Sequence, residues 1–170
     1  MEARTKKDGD QPSASTIGLR PSQGLVVERE IHIDASPDTV FEFFTDPAKM
    51  VRWKGESATL DPRPGGIYRV EMNEQAIAVG EYVELDPPNR VVFTWGWEGG
   101  YASTPPGSST VEVTLTPDGD GTLVRLVHSR LSTPESAEAH GHGWDQYMPR
   151  LAIAAAGGEP GPDPNAPKED

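Results

Sequence analysis

Three kinds of side chain in this sequence could act on a bound molecule: imidazoles, tyrosine hydroxyls and strand-borne glutamates. His128 shares strand parity with Val124 and Leu126, so it is expected to point inward. A histidine there is either a hydrogen-bonded core residue or a polar anchor for a ligand. With Tyr68 it could also move protons on a bound substrate. Glu71, Glu81 and Glu84 could form paired acids, but parity puts Glu71 and Glu81 on the outside. His140 and His142 are two apart on a helix and do not share a face. A metal site from these two and His128 would need a carboxylate at ligand spacing; none is present, and no metal is expected. His32 falls on the outward face of its strand. No Ser-His-Asp order with elbow glycines occurs. Gly65-Gly66 is a turn after Pro64 and lacks the helix and lysine of a phosphate loop. No catalytic residue is assigned, and no cofactor is expected.

The aromatic residues form the stronger pattern. The loop after the second helix supplies Trp53. Strand 66–73 sends in Tyr68, Val70 and Met72, and strand 90–97 sends in Val91, Phe93, Trp95 and Trp97. Strand 109–117 adds Val111, Val113 and Leu115; strand 121–130 adds Val124, Leu126 and His128. The C-terminal helix contributes Trp144 and Met148. These residues either fill a closed core or line a cavity. Tryptophan is a costly filler for a sealed core because its indole N–H needs a partner, and concave aromatic spaces with a few polar groups take small molecules. The candidate ligand-binding set is therefore Trp53, Tyr68, Met72, Phe93, Trp95, Val113, Leu126, His128, Trp144 and Met148.

Positioning these residues takes a sheet and a helix. Gly24–Ile33 alternates, with Val27, Ile31 and Ile33 on one face. Ser36-Pro37 and Asp46-Pro47 each read as an N-cap followed by proline in the first turn, giving two short helices, the second ending near Trp53. From Glu56 the period is two, with strands expected at 56–60, 66–73, 76–85, 90–97, 109–117 and 121–130. Turn-forming Pro, Gly, Asn and Asp separate them, so the sheet is antiparallel. The Gly/Pro-rich stretch 98–109 is a long hairpin loop and a candidate lid. Pro134–Ala156 is a helix whose buried stripe is His140, Trp144, Met148, Leu151 and Ala155. Pro149 should kink it near Asp145–Gln146. The order β-α-α-β-β-β-β-β-β-α makes an α+β fold in which a curved antiparallel sheet wraps a long C-terminal helix.

Length and charge bound the rest. The 170 residues make one domain. Residues 1–23 and 157–170 hold too little apolar surface to order themselves and are expected as a disordered arm and tail around a domain at 24–156. The net charge of -12 argues against nucleic acid and against anionic membranes. An acidic exterior also mildly disfavours the approach of anionic ligands. With no cysteine, disulfides and thiolate chemistry are excluded. No apolar run is long enough for a membrane span, and MEARTKKDGD lacks the apolar core of a signal peptide. A cytoplasmic protein is expected.

Several motifs, in order, carry a family resemblance. They are Ala35-Ser36-Pro37 through Phe41, Thr45-Asp46-Pro47 and Trp53, then Asp61-Pro62-Arg63-Pro64-Gly65-Gly66. Gly80-Glu81-Tyr82-Val83-Glu84-Leu85-Asp86-Pro87-Pro88 and Val92-Phe93-Thr94-Trp95 follow. The series ends with Gly121-Thr122-Leu123, His128-Ser129 before Leu131, and His140 ahead of Gly143-Trp144. Over residues 25–156 the chain resembles the START-like (SRPBCC) superfamily and, within it, the family related to the C-terminal domain of the activator of Hsp90 ATPase. The resemblance implies the helix-grip fold, with six or seven strands, and a hydrophobic cavity at Trp53, Tyr68, Trp95, His128 and Trp144. Three functions stand open. The leading one is non-catalytic binding or carriage of a small hydrophobic ligand, aromatic or lipid/polyketide-like. The second is a polyketide cyclase/dehydratase-like or hydrolase enzyme using the same cavity. The third is a protein-interaction module of the Hsp90-activator kind, with a protein partner. Oligomeric state is not encoded in any motif.

Overall fold

The computed structural model describes residues 17–20 and 24–164. Of the arm expected at 1–23 and the tail expected at 157–170, residues 1–16, 21–23 and 165–170 lie outside the described residues. Eight antiparallel strands form one sheet in the order β1-β2-β8-β7-β6-β5-β4-β3. They are β1 (Ile17–Arg20), β2 (Gly24–Ile33), β3 (Ser57–Leu60), β4 (Ile67–Glu71), β5 (Ile77–Asp86), β6 (Arg90–Trp95), β7 (Ser109–Asp118) and β8 (Gly121–Leu131). Strands β2 to β8 are the seven expected from alternation. The added strand, β1, falls inside the expected arm. It pairs Ile17 with Val27 through to Arg20 with Gly24, so main-chain bonding orders a segment whose composition gave no signal.

Three helices follow their capping signals. Ser36 accepts from Thr39 N at 3.3 Å at the start of α1 (Pro37–Glu42), and Asp46 accepts from Ala48 N at 2.9 Å before α2 (Pro47–Met50). Thr133 accepts from Ser136 N at 3.0 Å before α3 (Pro134–Ala155). Each cap satisfies one of the orphan N–H groups of a first turn. α3 continues on both sides of Pro149. Its stripe of His140, Trp144, Met148, Leu151 and Ala155 is buried as expected.

Register shifts at Leu25/Val27 in β2 and Tyr82/Glu84 in β5 bend the sheet. The bent sheet closes around α3. Inward parity holds on β4, β7 and β8: Tyr68 and Val70, then Val111, Val113 and Leu115, then Val124, Leu126 and His128 are all buried. On β6, Val92 is also buried alongside Val91, Phe93 and Trp95, so that strand is covered on both faces. Arg29 on β2 holds α3 through Asp145, Nε to Oδ1 at 2.7 Å.

Residues 157–164, expected within the tail, dock back onto the domain. Arg150 donates to Pro160 O (3.3 Å) and Pro162 O (2.9 Å). Tyr147 Oη donates to Asp163 Oδ1 at 2.7 Å. The anchoring is polar, which is why an apolar census did not register it.

Candidate functional site

The chain after α2 is driven inward by its own backbone. Lys54 N donates to Met50 O at 3.0 Å, ending the helix. Trp53 is fully buried; its indole donates to Phe43 O at 3.0 Å, and its carbonyl accepts from Arg150 Nε at 3.0 Å. Gly55 has φ +88° and lies so close to β4 that a Cβ would sit 2.6 Å from Val70 Cγ1. Its N–H donates to Asp163 Oδ2 at 3.0 Å. Only glycine fits that turn, and the turn leaves the preceding side chain pointing into the molecule.

That side chain is Lys54, which is 2% exposed. Its Nζ donates to Tyr68 Oη at 3.0 Å. It lies 4.6 Å from the ring centre of Trp95, 4.8 Å from Trp144 and 4.9 Å from Trp53. Three indoles and a phenol thus surround one amine, and their π faces attract its charge. Among the described residues no carboxylate comes within ion-pair distance of it. Burial pulls the ammonium down to about 7 from its ordinary 10.5, against a weaker upward pull from Asp163. Burial also pushes the Tyr68 phenol well above its ordinary value.

Lys54 opens on a pocket of about 230 Å³ between α3, the ends of β4 and β6, and the β6–β7 loop. Met72, Asn73 and Ala76 line one side; Trp95, Trp97, Tyr101 and Ala102 the next; and Ala139, His140, His142, Gly143, Trp144, Gln146 and Tyr147 come from α3. The loop is held against α3: Thr104 Oγ1 donates to Ala102 O at 2.8 Å and lies 2.8 Å from Ser136 Oγ. Ala102 and Ser103 adopt positive φ (57° and 55°), a conformation that side-chain-bearing residues keep only under tertiary constraint. One buried side-chain polar atom among the described residues has no hydrogen-bond partner, the indole Nε1 of Trp95.

The two buried histidines are spent on structure. Trp144 Nε1 donates to His128 Nδ1 at 3.0 Å. His128 Nε2 lies 2.8 Å from Ser109 Oγ, which in turn donates to Trp95 O at 2.8 Å. With its hydroxyl proton on Trp95 O, Ser109 accepts from His128, which is therefore neutral with its proton on Nε2. His140 accepts from Trp97 Nε1 at 2.9 Å and gives its Nδ1 proton to Ser136 O at 2.8 Å. Burial lowers both imidazoles, His128 the further, with Coulomb repulsion from His140 and Lys54 adding to it there. Neither ring has a free lone pair for a ligand or a metal. His32 is outward, as expected, with Asp118 and Asp34 on its two nitrogens at 2.9 and 3.0 Å.

Of the ten residues expected to bind ligand, Met72, Trp95 and Trp144 line the pocket. Trp53 and Tyr68 reach it only through Lys54. Phe93, Val113, Leu126, His128 and Met148 are buried beneath it as core; Phe93 stacks on Tyr68 with ring centres 4.2 Å apart. The anchoring role considered for His128 is corrected by its two bonds, which leave no atom to offer. Lys54 was missed. A lysine just after a short helix reads as a solvated C-terminal cation, and only its place between Trp53 and Gly55 hinted otherwise.

A twisted antiparallel sheet closed on one long C-terminal helix, with a pocket where helix and sheet part, defines the helix-grip class. Residues 34–156 match the family model described as activator of Hsp90 ATPase homolog 1-like protein. The chain belongs to that family. The AHSA1-like protein of Rhizobium etli is 43% identical, over 85% of this chain and 89% of that one, with a TM-score of 0.66. CalU16 from Micromonospora echinospora is 29% identical, over 86% and 74%, at 0.67. An HSP90 activator from Plasmodium falciparum is 20% identical, over 77% and 96%, at 0.63, a likeness of fold. No curated protein matches. No helix among the described residues is long and apolar enough to cross a membrane.

Proposed function

We propose that this protein binds a small hydrophobic ligand, aromatic or lipid/polyketide-like, in the pocket between α3 and the sheet. The observation that carries the reading is the pocket itself: about 230 Å³, walled by Trp95, Trp97, Trp144 and Tyr101. Aromatic walls supply affinity by burial, at about 25 cal/mol per Å², and Lys54 on the lining supplies a polar contact for orientation. Tyr101 stands over the opening, 61% exposed, with its ring 5.5 Å from that of Trp97, and is suited to close on a ligand. Among the described residues the exposed large apolar side chains are Ile67 and Val83 on the adjacent strands β4 and β5, Tyr101 in the β6–β7 loop and Ile153 on α3.

The test is native mass spectrometry of the purified protein, then a library of aromatic and lipid compounds read by tryptophan fluorescence. The expected result is a co-purified mass, or quenching that diminishes in Trp97→Phe and Trp144→Phe. No bound mass and no quenching across the library would overturn the reading and favour a protein partner.

A further inference from the structure

The chain carries 27 acidic residues, yet among the described residues no acidic side chain lines the pocket. Among the described lining residues the one basic side chain other than histidine is Lys54, buried, in hydrogen-bond contact with one phenol, with no carboxylate partner among the described residues. Beside it stands the indole of Trp95, 3% exposed, whose N–H donates to nothing. A buried polar atom without a partner is costly, and so is a buried cation without a counter-charge. Such an amine on the pocket lining, in a chain that satisfies both of its buried histidines, marks a place where something else completes the bonding.

We infer that the pocket takes an apolar acid, an aromatic or alicyclic carboxylate, whose carboxylate receives a hydrogen bond from Lys54 Nζ while its ring lies among Trp97, Trp144 and Tyr101. This rests on the ligand-binding reading above and names its chemical class. A carboxylate offers about four acceptor sites and no donor, matching a lining that carries an amine and, among the described residues, no carboxylate. It supplies the missing counter-ion in a site of low dielectric, where a charge-assisted hydrogen bond is strong. The acidic exterior slows the approach of an anion; the acid-free lining sets its affinity once inside.

The titratable groups facing Lys54 are Tyr68 from β4, His128 from β8 and Asp163 from the C-terminal segment; His140, His142 and Tyr147 of α3 and Tyr101 of the β6–β7 loop line the same pocket. Tyr68, His128 and His140 are neutral near pH 7, and Asp163 holds Tyr147 and Gly55 N. An incoming carboxylate therefore draws a proton onto Lys54, and binding takes up protons from the buffer. With the free amine lowered to about 7, that uptake is a fraction of a proton per ligand at neutral pH.

The experiment is isothermal titration calorimetry of the full chain with 2-naphthoate and 2-naphthamide, a pair alike in shape and different in charge. Runs at pH 7 in two buffers of different ionisation enthalpy count the protons. We expect naphthoate to bind at least about tenfold tighter than the amide, with proton uptake for the acid alone. In Lys54→Met the acid's advantage and its proton uptake should both vanish. Equal affinities for acid and amide in the unmodified protein overturn this inference and leave the ligand-binding reading standing. No binding of either compound also overturns this inference, while the ligand-binding reading falls only with the library test above. Because the acid–amide comparison is made within the unmodified protein, a variant that folds poorly does not blunt it.

Discussion

Two polar groups lie buried in the same interior, and they are treated in opposite ways. The imidazole of His128 has both nitrogens bonded, to Trp144 and Ser109. The amine of Lys54, against the same indole of Trp144, has one phenol and no counter-charge. A polar group whose every bond is met within the chain rigidifies a core. One left short of partners is a site in waiting. The comparison shows that burial alone does not mark function; what marks it is unfilled bonding capacity.

The most severe way to probe the closed side is to remove Trp53, fully buried and edge-on to Phe44 at 5.5 Å. Trp53→Ala should cost about 3–5 kcal/mol in a denaturant titration, as a large core deletion. On the open side the sign should reverse. Lys54→Met removes a buried amine with no carboxylate at ion-pair distance among the described residues and keeps most of its volume, so stability should rise, by about 1–4 kcal/mol less the cost of leaving Tyr68 Oη without its partner. A loss in Lys54→Met as large as that in Trp53→Ala would show that the amine is integral to the core and would sink the contrast.

The same pair gives a pH signature. The folded-state value for Lys54 is about 7, below its ordinary 10.5. Between these the unfolded chain binds more protons at this position than the folded one, so stability rises with pH across that window, by at most about 1.4 kcal/mol per unit. The neighbours Tyr68, His128 and Asp163 remain in Lys54→Met, so the difference between the two proteins isolates the amine. That difference should shrink steadily from pH 7 to 10. A flat difference would mean that the aromatic faces hold the ammonium fully charged.

The elements were legible in the sequence because each rests on a local rule. Ser36, Asp46 and Thr133 cap helices by their own side-chain oxygens, and parity told the inner face of β7 from the outer one. The site was less legible because it depends on distant pieces. Lys54 turns inward through Gly55 packing on Val70 and through Asp163, over a hundred residues away. β1 and the segment 157–164 are held by main-chain and polar bonds that hydrophobic composition does not carry. His128 illustrates the limit in one residue. Its inward parity was readable; whether its nitrogens were free depended on Ser109 and Trp144, 19 and 16 residues away.

A smaller cut separates the two regions from the shared side. Trp144 donates to His128 and also stands over Lys54. Trp144→Phe keeps a ring and removes the N–H, leaving His128 Nδ1 buried and unpaired. The expected cost is about 1–3 kcal/mol in thermal or denaturant unfolding. Adding His128→Leu should recover part of it, because no orphaned nitrogen then remains. If the double variant is instead the plain sum of the singles, the network is not coupled and His128 is ordinary filler.

The smallest effect comes from outside both regions and tests the rule that divides them. His32 is a solvent-facing imidazole between Asp118 and Asp34, and hydrogen bonds to those carboxylates raise it above its ordinary 6.5. The sign is therefore opposite to that of Lys54. A raised folded-state value contributes stability below 6.5 that fades as pH climbs through the raised value. His32→Gln should lose a little stability at pH 6 and nothing at pH 9, and salt should erase the difference because exposed charges are screened. NMR titration of the ring reads the same shift directly. Were His32 to titrate below 6.5, partner and solvent would not compete at this surface as they do inside, and the argument that Lys54 is depressed for want of a counter-charge would lose its control.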